Sequence, residues 1–152
     1  AQAVLDSGTP GSGSLPSLPA STSFAVVDHA GMAVACSLTM NNLFGTGRIA
    51  GNTGIVLAAS PARVPAPLLS AAIANDGHAF RAAVAGSGQN DAAAAVAEEM
   101  KLVLSGQAPA SRAVTAEGRV NAIACPRGLP GDGTSCVAGS DPRETGLAVG
   151  PR

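Results

Sequence analysis

The sequence predicts a mostly antiparallel α+β domain, and three observations carry that prediction. Apolar, β-branched runs occur in pairs, and short turns that contain glycine join them. One later segment has the apolar period of a helix instead. With 152 residues and 46% hydrophobic content, the chain is long and apolar enough to bury one core. Strand pairs accompanied by a packed helix indicate the α+β class.

Residues 1–20 are predicted to be a flexible linker or the tail of a preceding region. Half of them are Ser, Pro or Gly, a composition that cannot bury enough surface to offset its ordering entropy. The segment lacks the basic start and apolar centre of a signal peptide, and no run in the chain approaches the roughly 18 apolar residues needed to span a bilayer. We therefore expect a soluble domain over residues 21–152 with no membrane span.

The domain begins with a predicted β-hairpin. FAVVD, which starts at Phe24, and MAVACSLTM, which starts at Met32, are apolar-rich runs on either side of a short turn, DHAG. The following stretch, LFGTGRIAGNTGIVLAAS, is dense in glycine, which predicts a bend. A third strand is predicted after that bend, near residues 54–58.

Two more hairpins and a helix complete the predicted elements. Two short apolar runs flank the turn NDG at residues 75–77, a strong local hairpin signal. AAAAVAEEMKLVLSG, residues 92–106, has a helical apolar period and ends at a glycine, while Glu98, Glu99 and Lys101 are expected to form a solvated face. VNAIAC and SCVAGSD predict the last hairpin. The predicted helix at residues 92–106 has an apolar face that consists of Val96, Met100, Val103 and Leu104.

Charge and motif content exclude several functions. The formal net charge is -1, 12% of residues are charged and three are aromatic, so the chain lacks the basic stripe and stacking platforms of nucleic-acid-binding proteins. GTGRIAG has no Lys-Ser/Thr at P-loop spacing. The three cysteines lack zinc-site spacing, and His29 and His78 are expected to be solvated turn residues. We expect no metal and no cofactor.

Cys125 and Cys136 allow two interpretations. They bracket PRGLPGDGTS, a Pro/Gly-rich loop that can bring its ends together for a disulfide bond. Two reduced core thiols are the alternative. A disulfide favours an oxidising compartment, periplasmic or extracellular, and leaves Cys36 unpaired.

STSFAVVDHAGMAVACSLTMNNLFGTGRIAGNTGIVL resembles the start of the small subunit of gamma-glutamyltransferases (gamma-glutamyltranspeptidases), which are N-terminal-nucleophile hydrolases. The family pattern there is a Thr-Thr pair, a VVD strand, a turn, a strand that ends in TLN, and then FG-[ST]-G. Two later stretches, PLLSAAIANDGHAFRAAVAGSGQNDAAAAVAEEMKLVL and AGSDPRETGLAVG, are also similar to this family. Together these stretches cover most of residues 21–152.

The resemblance implies a nucleophile that is exposed by cutting the chain between Ala20 and Ser21. When the VVD strands are aligned, Ser21 falls on the catalytic threonine, whose own α-amine is the base. Thr39 falls on the threonine that hydrogen-bonds the nucleophile, and Asn41 on the asparagine of the substrate pocket.

The resemblance also implies an oxyanion site and a substrate site. The oxyanion donors are the backbone N–H groups of Gln89 and Asn90, where the family has Gly-Gly. The family's adjacent Ser-Ser, which binds the substrate carboxylate, becomes Leu69 and Ser70 here, and LAASPAR lacks the acidic pair that binds the ammonium group. A small amide or peptide other than a γ-glutamyl compound is therefore the expected substrate.

The implied architecture is αββα, with two stacked antiparallel sheets flanked by helices, and it is incomplete without a second chain. A large subunit, or the N-terminal portion of the same precursor, would complete it as a heterodimer. The alternative is a processing-deficient, noncatalytic relative that acts as a binding or structural subunit. That alternative predicts an uncut chain.

Overall fold

The computed structural model describes residues 20–60, 69–88 and 91–150. Within them are two antiparallel sheets and one α-helix, α1, in agreement with the predicted α+β class. One sheet has two strands, β1 and β2, and the other has four in the order β3, β4, β5, β6. The elements in chain order are β1 (Ser21–Val27), β2 (Ala33–Thr39), β3 (Ser70–Asn75), β4 (Phe80–Ser87), α1 (Ala92–Leu104), β5 (Arg119–Leu129) and β6 (Val137–Ser140).

The four-stranded sheet is covered on both faces. On one face, Val84 and Val120 pack against Val96 and other residues of α1. On the other face, Phe80 and Leu129 belong to a second apolar cluster, against which alanines and a valine of β1 and β2 pack. Alternate residues of the central strands β4 and β5 therefore enter different cores, as the two-residue period of a strand requires.

The first predicted hairpin is confirmed by the pairing of β1 with β2. Its turn is held by Asp28, whose carboxylate oxygen accepts hydrogen bonds from the N–H groups of Ala30 and Met32, both at 2.9 Å. Gly31 has a φ of 85°, and a Cβ at this position would lie 2.7 Å from the carbonyl oxygen of Leu129. Glycine is therefore needed both for the turn and for its approach to β5.

The predicted third strand near residues 54–58 is wrong. In residues 41–59, which we call the arm, β pairing is limited to one bridge between Ile49 and Val56. Gly51 and Gly54 both have positive φ, and these turns interrupt the extended conformation that a strand needs. The end of the arm returns to β2, where the Ala59 N–H donates to the carbonyl of residue 40 at 2.9 Å.

The other predicted elements are confirmed, but two side chains of α1 are not where the sequence indicates. Glu99, predicted to face solvent, is only 1% exposed, because the buried face of the helix includes Ala92, Ala95, Val96, Glu99 and Val103. Its carboxylate accepts a hydrogen bond of 2.7 Å from the Ala110 N–H. Leu104, predicted on the apolar face, is 56% exposed at the last residue of the helix.

A disulfide bond joins Cys125 of β5 to Cys136, the residue before β6, while Cys36 is a free, half-buried thiol. The bond closes the Pro/Gly-rich loop between the strands of the last hairpin. Across the residues described, no helix is long and apolar enough to cross a bilayer.

Candidate active site

The candidate site lies where β1 begins and β2 ends. The antiparallel register pairs Ser21, the first residue of β1, with Thr39, the last residue of β2. Both side chains are half-buried. The hairpin therefore brings together two residues that are far apart in the sequence and that were predicted to share a site.

Two hydrogen-bond donors converge on the peptide bond that precedes Ser21. The carbonyl oxygen of Ala20 accepts one bond from Thr39 Oγ1, at 3.2 Å, and a second from the Met40 N–H, at 2.8 Å. Two donors on one carbonyl oxygen polarise the C=O bond and stabilise negative charge that develops on the oxygen. Met40 was missed by sequence reasoning, since a backbone N–H has no signature in residue type.

Asn41 fixes the Thr39 hydroxyl from the other side. Its N–H donates to Thr39 Oγ1 at 2.9 Å, and its Nδ2 donates to the Ala59 carbonyl at 2.7 Å. The backbone of Asn41 has a φ of 58°, in the left-handed region, which asparagine tolerates better than most residues. Asn41 thus ties the end of β2 to the end of the arm and orients Thr39.

The loop after β4 approaches the Ser21 hydroxyl. A Cβ built on Gly88 would lie 3.9 Å from Ser21 Oγ, and Gly88 has a φ of 85°. The predicted oxyanion residues, Gln89 and Asn90, follow Gly88 directly but lie outside the described residues.

Ser70 begins β3 at the same end of the four-stranded sheet. It pairs in register with Gly86 of β4, two residues before Gly88. Its carbonyl oxygen accepts a hydrogen bond of 2.7 Å from the Ser37 hydroxyl of β2. Ser70 is therefore near the elements that carry the other predicted site residues, and it binds Ser37 through its backbone.

Comparison with solved structures identifies the fold. The chain is similar to the gamma-glutamyltranspeptidase from Pseudomonas nitroreducens complexed with L-DON, with a TM-score of 0.61 and 16% sequence identity, over 86% of this chain and 100% of that chain. It is also similar to a highly active mutant of the same enzyme, with a TM-score of 0.58 and 16% identity, over 86% of this chain and 99% of that chain. The chain has a gamma-glutamyltranspeptidase-like fold. No family model matches the sequence, and no curated protein matches it.

In this gamma-glutamyltranspeptidase-like fold, a buried polar link holds β1 on the larger sheet. The Ser23 hydroxyl donates to the Ala85 carbonyl at 3.0 Å. The side-chain amide of Asn121 donates to the Ser23 carbonyl at 3.0 Å and to its hydroxyl at 3.1 Å. Both residues were missed as positioning residues, although polar side chains on the inward face of apolar strands could have indicated them.

Asp141 and Arg143 form an ion pair at the end of β6. Asp141 is 1% exposed; burial alone would raise its pKa, but hydrogen bonds and attraction from Arg143 hold that pKa below its ordinary value. Arg143 also donates to the carbonyls of Ala116 and Gly118, at 2.9 and 2.7 Å. This clamp ties the end of β6 to the loop before β5.

Proposed function

We propose that this protein is an amidohydrolase or acyltransferase of the gamma-glutamyltransferase-like, N-terminal-nucleophile type, which cuts itself between Ala20 and Ser21. The observation that carries this proposal is the pair of donors, Thr39 Oγ1 and the Met40 N–H, on the carbonyl oxygen of Ala20. These donors lie on the carbonyl that a Ser21 nucleophile must attack to free its own α-amine.

In the processing step, Ser21 Oγ bonds to the carbonyl carbon of Ala20. Negative charge develops on the Ala20 oxygen, where Thr39 and Met40 donate. The Oγ proton passes to the Ser21 nitrogen, the C–N bond breaks, and an ester joins Ala20 to Ser21 Oγ. Water then hydrolyses the ester, which releases the Ala20 carboxylate and leaves a free hydroxyl and a free α-amine on Ser21.

The same atoms can then act on a separate amide. The free α-amine, whose pKa in model compounds is about 7.7–8.0, takes the Oγ proton as Ser21 attacks the substrate carbonyl. The proton passes to the leaving amine, an acyl group remains on Ser21, and water or an acceptor amine removes it. The approach of Gly88 to Ser21 Oγ supports a role for the next two backbone N–H groups, those of Gln89 and Asn90, as oxyanion donors in turnover in addition to Thr39 and Met40.

The proposed substrate is a small amide or peptide, and the proposed partner is a large subunit or the N-terminal portion of the same precursor, in an αββα heterodimer. The outer face of the β1–β2 sheet supports the partner, because Phe24, Val26 and Val34 are 43%, 52% and 52% exposed on it. An apolar face of this kind favours association.

Val26→Asp should abolish co-elution with that partner, because it places a charge on this apolar surface. Unchanged co-elution would remove this surface from the proposal.

A p-nitroanilide assay tests the proposed activity. Purified protein, with its N-terminus checked by intact mass, is incubated with acetyl-, hexanoyl- and γ-glutamyl-p-nitroanilide, and release of p-nitroaniline is followed. Release should fall by at least about 10³-fold in Ser21→Ala, since the nucleophile is gone. Ser105→Ala is the matched control: Ser105 is exposed at the end of α1, where its hydroxyl donates to the Leu102 carbonyl, and its loss should leave release unchanged.

Two outcomes would contradict the proposal. Release that survives in Ser21→Ala would show that another group is the nucleophile. An uncut protein that releases no p-nitroaniline would favour the noncatalytic binding or structural subunit. That alternative is supported by the sequence departures at Leu69, Gln89 and Asn90.

A further inference from the structure

We propose that the groove beside Ser21 is an acyl-binding site that takes an uncharged, apolar acyl chain. This inference rests on the proposed function, because it assigns the acyl group that Ser21 would carry. It goes further by naming the class of substrate: amides of short aliphatic acids.

The groove has a volume of about 390 Å³ and is formed by three parts of the chain. The start of β1 forms one wall, the end of β2 through Met40 forms the second, and Val56 and Ala58 of the arm form the third. Apart from the hydroxyls of Ser21, Thr22 and Thr39, the side chains that line the groove in the described part of the chain are aliphatic or thioether groups. The volume is at the small end of the range of about 300–1,000 Å³ for ligand pockets, which suits a short chain.

The position of Ala20 connects the groove to the carbonyl that Ser21 is proposed to attack. Ala20 lines the groove, and its carbonyl is the one that accepts from Thr39 and Met40. When an acyl group is bound to Ser21 Oγ and its carbonyl oxygen accepts from those two donors, the first atoms of the group occupy the position of Ala20. Its chain therefore extends along the walls that Leu38 and Val56 provide.

The absence of charge on the walls determines which acyl chains fit. Among the described residues that line the groove, none carries a charged side chain. A γ-glutamyl group brings a carboxylate and an ammonium, and ionic groups that leave water without a partner bind poorly. An aliphatic chain has no such cost, and each methylene that leaves water improves binding by about fourfold.

The panel of p-nitroanilides tests this assignment when butyryl is added to acetyl, hexanoyl and γ-glutamyl. We expect kcat/KM to rise with chain length, and the hexanoyl-to-acetyl ratio to lie between about 10 and 200, since an open groove buries only part of the chain. γ-Glutamyl-p-nitroanilide should be turned over no better than the acetyl compound.

Two variants of the groove walls test whether the preference for longer acyl chains arises in this groove. Leu38→Asp and Val56→Asp each place a carboxylate in the groove, on a side chain that is 49% or 40% exposed, and each should lower the hexanoyl-to-acetyl ratio by at least about tenfold. Leu104→Asp is the matched control on α1, remote in the fold, and should leave the ratio and the activity unchanged. The ratio is an internal standard, since a loss of folded protein lowers both rates equally.

The possible results separate this inference from the proposed function. A cut protein with Ser21-dependent release that prefers the γ-glutamyl compound would overturn the apolar assignment and leave the proposed activity standing. An unchanged ratio in both wall variants would also overturn it, because the acyl chain would then lie elsewhere. An uncut protein without release would overturn the proposed function, and the acyl assignment with it.

Discussion

At the scale of single residues, the proposed processing depends on the Thr39 hydroxyl. This hydroxyl donates to the Ala20 carbonyl and accepts from the Asn41 N–H, so both its proton and a lone pair are engaged. A hydroxyl held from both sides keeps its orientation, which electrostatic stabilisation of a developing oxyanion requires. In the proposed processing step, Thr39 is therefore a positioning and polarising group for the bond before Ser21.

Thr39→Ala should slow processing of the bond between Ala20 and Ser21 by about 10²-fold, because one of two oxyanion donors is lost. Intact mass measured at intervals after synthesis gives the rate. Thr53→Ala is the matched control, since Thr53 of the arm also donates its hydroxyl to a backbone carbonyl, that of Ala50, at 2.6 Å. Thr39→Ser should restore the rate. Equal rates in Thr39→Ala and wild type would remove Thr39 from the mechanism.

Residue types predicted part of this site and could not predict the rest. The resemblance, aligned on the VVD strand, singled out Ser21, Thr39 and Asn41, and the antiparallel register brings the first two opposite each other. The Met40 N–H and the Ala20 carbonyl are backbone groups, so residue identity says nothing about their alignment. Their hydrogen bond follows only from the register of the hairpin.

At the scale of elements, α1 shows how tertiary contacts override a helical pattern. The sequence predicts the existence and bounds of the helix well, but Glu99 lies in the middle of its buried face. The contact that keeps Glu99 there is the Ala110 N–H, eleven residues ahead in a loop that carries no periodic signal. Similarly, the prediction of a strand at residues 54–58 was wrong, because two glycine turns limit the arm to a single β-bridge.

Burial and the nearby Asp141 raise the pKa of Glu99 above its ordinary value of 4.5, although the hydrogen bond from Ala110 opposes this. Between the two values the folded state binds more protons than the unfolded state, so this group lowers stability as pH rises from about 4.5 through its folded pKa. Glu99→Gln removes the charge and retains an acceptor. The stability of this variant relative to wild type should therefore increase from pH 4 to pH 8, as measured by thermal unfolding.

Glu98→Gln is the control for that measurement. Hydrogen bonds from Thr115 lower the pKa of Glu98, so its charged form contributes stability above the ordinary value of 4.5. The relative stability of Glu98→Gln should consequently fall over the same pH range. A Glu99→Gln difference that is flat with pH, or that falls, would contradict the assignment of a destabilising buried charge.

At the scale of the whole molecule, the described residues form three layers: α1, the four-stranded sheet and the β1–β2 sheet. The candidate site lies at one end of the β1–β2 hairpin, which is fixed on the larger sheet by Ser23 and Asn121. The outer face of the hairpin is apolar and exposed, and one groove beside Ser21 continues from it. The proposed partner and the proposed acyl chain thus use neighbouring parts of one surface.

The N-terminal sequence and intact mass of the purified protein test the central claim most directly. Self-processing predicts an N-terminus at Ser21 in wild type and in Ser21→Thr, which keeps a hydroxyl, and an uncut bond in Ser21→Ala, which has none. A wild-type bond between Ala20 and Ser21 that stays intact for days at neutral pH, or a Ser21→Ala protein that is cut there, would contradict it.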